Sequence, residues 1–402
     1  MPSRSPADGE ALLIAAQSGR ALAAAARRAG FVPLVADLFG DSDTRALAAA
    51  WRGLDGRLGL GFREDGVLAA LESLAAASPV RVRGVVLGSG FERRTRLMAA
   101  IAGRFRLIGA SPACVRRLKD PLDFAATLAR LGIPHPAVAL APPLSGTGAG
   151  TGAWLRKRRG GSGGGHIREA AAGPGRDAYF QERVAGEAFG VAFLADGHDA
   201  QLVAVTRQWV SPGRRAPWRY GGAIEPGSLP AGLAAAVEAA LRRLVPAFGL
   251  TGLASADLLV AGERWWLLEI NPRPGATLDV LDRRPTPLLR RHVAAADGQL
   301  GTPEEHPAEA AGAMILYAGR TIACVPAADW PDWAADRPEP ASRIAAGAPI
   351  CTVKARAADA ATVRTLLEAR GRAIQDLIED GKHIGDGHAQ AAEHQHARHA
   401  AR

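Results

Sequence analysis

Cysteine, aromatic residues and lysine are all scarce in this chain, and each shortage removes a class of function. Cys114, Cys324 and Cys351 are the three cysteines; odd in number and far apart, they give neither a disulfide framework nor zinc-ligand spacing. Aromatics make up 5% and do not interleave with a basic stripe. The formal charge of +9 and the pI near 10.2 therefore do not read as a nucleic-acid surface, since the basic residues are almost all arginine, spread along an Ala/Gly/Arg-rich chain. No apolar run approaches the roughly 20 residues needed to span a bilayer, and no basic region with an apolar core opens the chain. A soluble, cytoplasmic protein with no nucleic-acid and no membrane partner is expected. No Ser-His-Asp or Cys-His pattern marks a dedicated nucleophile.

The shortage of lysine is informative in the other direction. In a chain that uses arginine nearly everywhere, Lys119, Lys157, Lys354 and Lys382 mark places where a compact ammonium is not replaced by a planar fork. Lys119 and Lys157 become candidate site residues.

What is abundant is core: 402 residues at 48% hydrophobic suffice for two to four domains. Residues 11–39 read as strand, turn, Ala-rich helix and strand, a βαβ unit whose first turn, Gln17-Ser18-Gly19-Arg20, lacks a dinucleotide fingerprint. Asp37 is a strand-end cap or a ribose ligand. A second buried strand, Gly84-Val85-Val86-Leu87, ends in Gly88-Ser89-Gly90-Phe91-Glu92. Open α/β sheets bind ligands at such carboxyl ends, so Ser18, Arg20, Ser89 and Glu92 are candidate substrate contacts, with ordinary glycine turns as the plain alternative.

After Lys119-Asp120-Pro121 a helix runs to Leu131, and Pro142 to Ala153 reads as a low-complexity loop. The strand Ala153 to Lys157 then feeds Arg158-Arg159-Gly160-Gly161-Ser162-Gly163-Gly164-Gly165-His166. A lysine leading into a glycine-rich loop suits a triphosphate, because backbone N–H groups approach closely and the ammonium pairs with oxygens; a flexible linker is the alternative. Gln181-Glu182-Arg183-Val184, flanked by Glu187, offers exposed backbone for an adenine edge and carboxylates for ribose hydroxyls, or is merely a charged connector. Trp209 to Gly222 reads as loop, with Arg219 in an acceptor-type segment, and Leu233 to Phe248 as an amphipathic helix.

The densest stretch is Trp265 to Asp279. An apolar run ends in Glu269, Asn271 and Arg273, spaced two apart and so on one face of an extended strand. A carboxylate and an amide oxygen are hard ligands of the kind Mg²⁺ takes, and a guanidinium suits phosphate or carboxylate. If Ala261-Gly262-Glu263 is a three-residue hairpin loop, Asp257 joins that face; a half-buried hairpin with a wet polar side is the alternative. From Gly381 the tail is polar and holds five of the ten histidines, and reads as disordered.

Lys157 with its glycine loop, Gln181-Glu182-Arg183-Val184 with Glu187, Asp257, and Glu269-x-Asn271-Pro272-Arg273 occur in the order of the ATP-grasp carboxylate–amine ligases. Residues 10–300 thus resemble that superfamily. The resemblance implies an α/β and α+β fold: a Rossmann-like domain over residues 1–112, a two-subdomain ATP-grasp clamp over 113–182 and 183–300, and a small C-terminal α+β segment over 301–380 before the tail, 381–402. It implies ATP and Mg²⁺ (or Mn²⁺), with Lys157 on the α/β-phosphates, the loop residues Gly161, Ser162, Gly163 and Gly164 over them, Glu182, Arg183 and Val184 at the adenine, and Glu187 at the ribose. Asp257, Glu269 and Asn271 would be the metal ligands, and Arg273 would act with Lys157 in catalysis. The order Lys119-Asp120 departs from the family's Asp-Lys, and Arg158 stands where a proline is usual.

Asn271-Pro272-Arg273-Pro274 with Gln17-Ser18-Gly19-Arg20 is similar to the predicted carboligases that include tyramine–glutamate ligases of methanofuran-type cofactor biosynthesis. The implied activity joins a small-molecule carboxylate to an amine through an acyl phosphate. Carboxyaminoimidazole ribonucleotide synthetases of purine synthesis and a non-catalytic ATP sensor are the alternatives, and a homodimer is compatible with the layout.

Overall fold

The computed structural model describes residues 9–57, 61–141, 153–170, 175 and 177–380; the loop expected before Ala153 and the His-rich tail lie outside them. Short apolar runs alternating with alanine-rich helices build the first unit: β1 (Ala11–Ala15), α1 (Arg20–Arg28), β2 (Val32–Asp37), α2 (Ser42–Leu47), β3 (Ala50–Gly53), the antiparallel pair β4 (Gly56–Arg57) and β5 (Gly61–Phe62), α3 (Glu64–Ala76), β6 (Val82–Leu87), α4 (Thr95–Ala102) and β7 (Leu107–Ile108). Five of these strands form a parallel sheet in the order β3-β2-β1-β6-β7. Every residue of β1 is buried, as a strand covered on both faces requires. The winding reverses between β1 and β6, which opens a crevice at their carboxyl ends. Asp37 at the end of β2 is a cap: it accepts from the Gly19 N–H at 2.9 Å, the Gly40 N–H at 2.9 Å and Trp51 Nε1 at 2.8 Å.

Two capped helices follow, α5 (Pro112–Lys119) and α6 (Pro121–Arg130). Asp120 caps α6 by accepting from the N–H groups of Leu122 and Asp123, with proline at the first helical position where its missing N–H costs nothing. The inverted Lys119-Asp120 order thus gives each residue a separate task. A small antiparallel sheet comes next, β8 (Val138–Ala139), β9 (Trp154–Arg158), β10 (Arg168–Glu169) and β11 (Ala178–Glu182), in the order β10-β9-β11-β8.

The third unit contains β12 (Glu187–Asp196), β13 (Ala200–Val210), β14 (Tyr220–Glu225), α7 (Ala231–Phe248), β15 (Thr251–Ala261), β16 (Arg264–Asn271), α8 (Leu278–Leu281), α9 (Leu288–Ala296), β17 (Ala310–Tyr317), β18 (Ala334–Ala335), β19 (Pro349–Ala357) and α10 (Ala360–Asp380). Its strands form one eight-stranded sheet, β16-β15-β12-β13-β14-β17-β19-β18. The strands after residue 300 extend that sheet through the pairing of β14 with β17. The loop expected over Trp209 to Gly222 is shorter than the sequence suggests, because Trp209 and Val210 end β13 and Tyr220 to Gly222 begin β14, paired across the ladder. Helix α7 buries Val237, Leu241, Leu244 and Val245 in a core that also takes Leu118, Phe124 and Leu128 from α5 and α6. That shared core fixes Lys119, at the end of α5, relative to the large sheet.

Candidate functional site

The hairpin β15–β16 is where the acidic groups meet, by a route that differs from the expected one. Its loop is two residues, Gly262-Glu263, since Ala261 pairs with Arg264. Continued regularly, that register would set Asp257 opposite Leu268 and turn Glu269 to the other face. A bulge intervenes: Leu258 pairs with Leu267 but Asp257 pairs with Glu269. Leu268 is the extra residue, and bulges re-aim side chains in this way. Asp257, Glu269 and Asn271 therefore share a face, with Asn271 Nδ2 donating to Asp257 Oδ2 at 3.0 Å.

Both candidate lysines reach this face. Lys119 Nζ donates to Glu269 Oε1 at 2.8 Å and lies 3.5 Å from Asn271 Oδ1. Lys157, in β9 of the small sheet, is 5% exposed. Burial lowers its pKa, and the nearby Glu269 and Asp257 partly offset this. Burial would raise both carboxyls; the two lysines hold Glu269 below the usual range, while repulsion from Glu269 leaves Asp257 above it. One carboxylate is thus committed to cations and the other is the weaker partner.

A cleft of about 2600 Å³ lies between the small and large sheets, lined by Lys157, Ser162, Gly163, Gly164, His166, Glu182, Arg183, Val184, Asp257, Glu269, Asn271 and Arg273 among others. It exceeds the roughly 300 to 1,000 Å³ of a drug-sized pocket, so it has room for a nucleotide and a second molecule. Residues 119–277, which span these groups, match the family model of the ATP-grasp domain. The chain carries an ATP-grasp domain. No curated protein sequence matches it. Among solved structures, the ATP-grasp chain is similar to the biotin carboxylase domain of the Hydrogenobacter thermophilus 2-oxoglutarate carboxylase, a dimer in complex with MgADP, ADP and bicarbonate (11% identity, covering 92% of this chain and 96% of that one, TM-score 0.70). It is also similar to the N5-carboxyaminoimidazole synthetase of Staphylococcus aureus (13% identity, 91% and 98% covered, TM-score 0.65). A third likeness is the L-amino acid ligase of Bacillus licheniformis (13% identity, 94% and 99% covered, TM-score 0.65). At these identities the likenesses establish the ATP-grasp fold with its preceding Rossmann-like unit.

Within the ATP-grasp cleft the glycine loop folds back over the site. Gly163 and Gly164 adopt φ of +66° and +70°, left-handed values that glycine takes without strain, and the Gly163 carbonyl accepts from the Tyr220 N–H at 3.0 Å. Gly161 does not line the cleft; a Cβ there would lie 2.5 Å from the His166 ring, so its role is to let that ring pack. His166 belongs to no motif of its own in the sequence. Burial, helped by Lys157 and Arg158, pushes its pKa down to about 4, which keeps the imidazole neutral beside Glu269.

Glu182, the last residue of β11, and Arg183 and Val184 after it line the cleft. Glu187 is not among its lining residues: its side chain is 60% exposed and pairs with Arg207 at 2.8 Å. The position begins β12, where alternation turns it outward.

Arg273 lines the cleft, and its Nε donates to Glu92 Oε1 at 2.6 Å. Glu92 is 5% exposed and its other oxygen accepts from the Gly90 N–H at 2.8 Å. It is therefore a support for Arg273 rather than the substrate contact expected. Arg20 lines the cleft but is 3% exposed and bound to Asp279 through both terminal nitrogens at 2.5 Å and to Asp336 at 3.1 Å. Ser18 donates to Asp336 at 3.1 Å. Ser18 and Ser89 line the cleft, as does Arg219, whose guanidinium stacks 3.5 Å from the Tyr317 ring and donates to the carbonyls of Ser211 and Gly347.

A divalent cation fits the donors present. They are oxygens from two carboxylates and one amide, and the Lys119 ammonium already sits between Glu269 and Asn271 as a cation would. Among the described residues no cluster of three His, Cys, Asp or Glu has metal-ligand arrangement, consistent with a set in which an amide is the third donor.

Proposed function

We propose that the protein is an ATP-dependent ligase that joins a carboxylate to an amine through an acyl phosphate. The observation that carries this reading is the convergence of Lys157, Asp257, Glu269, Asn271 and Arg273 on one cleft roofed by a glycine loop, with Lys119 bound to Glu269 at its edge, six residues from four separate stretches of the sequence. ATP would supply the phosphoryl group that activates the substrate carboxyl, and Mg²⁺ (or Mn²⁺) would neutralise the phosphates. In this reading Asp257, Glu269 and Asn271 hold the cation. Lys157 and Lys119 are fixed positive charges for phosphate oxygens, and Ser162, Gly163 and Gly164 cover them. Glu182, Arg183 and Val184 offer backbone to the adenine. Arg273, oriented by Glu92, stands at the transferred group. No residue need act as a nucleophile, so catalysis is positioning and electrostatic stabilisation.

Asn271-Pro272-Arg273-Pro274 together with Gln17-Ser18-Gly19-Arg20 supports a place among the carboligases that include tyramine–glutamate ligases of methanofuran-type cofactor biosynthesis. A cytoplasmic, small-molecule enzyme is the corresponding setting, and the dimeric biotin carboxylase domain it resembles supports a homodimer. The test is ADP release with a pool of carboxylates and amines, with hydroxylamine added to trap the acyl phosphate as a hydroxamate. Carboxylate-dependent ADP release and hydroxamate are expected, and both should vanish in Glu269→Ala. Nucleotide binding with no carboxylate-stimulated release in the wild type would refute the ligase and favour a sensor.

A further inference from the structure

The floor of the cleft opposite the glycine loop lies at the switch point between β1 and β6, where Gln17, Ser18, Gly88 and Ser89 leave the strands and line the space with Asp279, Asp336 and Thr352. Its charge is lopsided. Arg20 is in contact with Asp279, Asp336 and Asp43, and Asp41 is buried close behind at 7% exposure. The negative charges outnumber this cation, and burial with repulsion from Asp336, Asp37 and Asp43 pushes Asp41 up to about 9.

The hydrogen bonds show which acceptors are left. Asp336 Oδ1 accepts from Ser18 and Arg20, and Asp336 Oδ2 from Arg20 and Thr352, so both oxygens are full. Each oxygen of Asp279 accepts once, from Arg20, and a carboxylate oxygen has two acceptor sites. Gln17 supplies a second, independent sign of a ligand. It is 6% exposed and lines the cleft, yet its side-chain amide makes no hydrogen bond among the described residues. Buried amides are ordinarily paired, and this one belongs to a residue that lines the cleft.

We propose that the amine co-substrate binds here as a cation, its ammonium on the free acceptor sites of Asp279 and its adjoining polar group on the side-chain amide of Gln17. That assignment rests on the ligase reading, since a ligase needs an amine beside its activated carboxyl. Asp279 and Arg273 line the same cleft, so an amine held on Asp279 shares that space with the arginine end of the phosphate site. Arg20 is a positioning residue: it holds Asp279, and its guanidinium is already neutralised by Asp279 and Asp336, so a substrate carboxylate belongs elsewhere in the cleft.

The test is equilibrium binding to the full chain without nucleotide, using glycinamide and n-propylamine as cations, n-propanol as the neutral isostere and propionate as the anion. Both amines should bind about tenfold or more tightly than n-propanol, the worth of one charge-assisted hydrogen bond. Asp279→Asn should remove that margin. Gln17→Ala, which breaks no hydrogen bond among the described residues, should weaken glycinamide and spare n-propylamine. Amines no tighter than n-propanol, tighter binding of propionate, or amine binding unchanged in both variants would overturn the proposal. Because the measurement needs no turnover, absence of carboxylate-dependent ADP release would remove the ligase and leave the cation subsite standing.

Discussion

Lys119 and Glu269, 150 positions apart, meet at 2.8 Å, and this pair ties the end of α5 to the metal-type face of β16. The Lys119 side chain is 8% exposed and that of Glu269 21%, so the pair is largely shielded from water. Replacing Lys119 by Ala leaves a buried carboxylate with only the more distant Lys157 to balance it. A loss of about 3 kcal/mol, the lower end for a broken buried pair, is expected in urea unfolding. Carboxylate-dependent ADP release should fall by about a hundredfold, as for removal of one fixed stabilising charge. Stability and turnover both within twofold of wild type would show that Lys119 is dispensable.

The position of Lys119 also shows what a sequence conveys and what it does not. The strand lysine, the glycine loop and Glu269-x-Asn271 were legible because each is a local pattern with its own chemistry. The meeting of Asp257 with Glu269 was anticipated from a three-residue loop, whereas a two-residue loop and a bulge at Leu268 produce it. Both routes give the same parity, and no local pattern distinguishes them. Asp336 is 316 positions from Arg20, so nothing near Arg20 announces that its charge is already engaged. His166 was hidden among glycines, where the loop drew attention and the imidazole did not.

Glu92 should govern Arg273 without touching substrate. Glu92→Gln keeps the shape but weakens the 2.6 Å contact to Arg273 Nε, because the carboxylate's charge is lost. Hydroxamate formation should drop about tenfold at saturating ATP, against a hundredfold or more for Arg273→Ala. The KM for ATP should be little changed in Glu92→Gln, since the adenine strip and Lys157 are untouched. A rise in that KM with an unaltered maximal rate would assign Glu92 to nucleotide binding instead.

The glycine loop gives a steric prediction. Gly164 has φ of +70°, and a methyl there would overlap the Trp218 carbonyl. Gly164→Ala must therefore move the loop off the cleft, and the site loses backbone donors for phosphate. We expect nucleotide affinity to fall about tenfold or more, one lost charge-assisted hydrogen bond being worth that much, with the unfolding midpoint nearly unchanged because the loop contributes little core. Unaltered ATP affinity in Gly164→Ala would mean that the loop does not cover the phosphates.

His292 sets a pH dependence of stability that is separate from the chemistry. It is 1% exposed and bridges the two large sheets: Nδ1 accepts from the Leu253 N–H at 2.7 Å, and Nε2 meets the Ile108 carbonyl at 3.1 Å. A carbonyl only accepts, so Nε2 carries the proton and the ring must be neutral. Burial accordingly pushes the pKa down from 6.5 to about 4. Between those values the unfolded chain binds the proton and the folded chain does not, so stability is complete above pH 6.5 and falls as the pH drops toward 4. The shift corresponds to about 3 kcal/mol. His166 is lowered to a similar value, while Asp41 and Asp257, raised by burial, tilt the profile the other way, so the measurement is the change in urea-unfolding stability from pH 7.5 to 4.5 in wild type minus that in His292→Gln. Wild type should lose more stability than the variant over this range by up to about 3 kcal/mol; an identical pH dependence in the two would mean that the imidazole is not held neutral between the sheets.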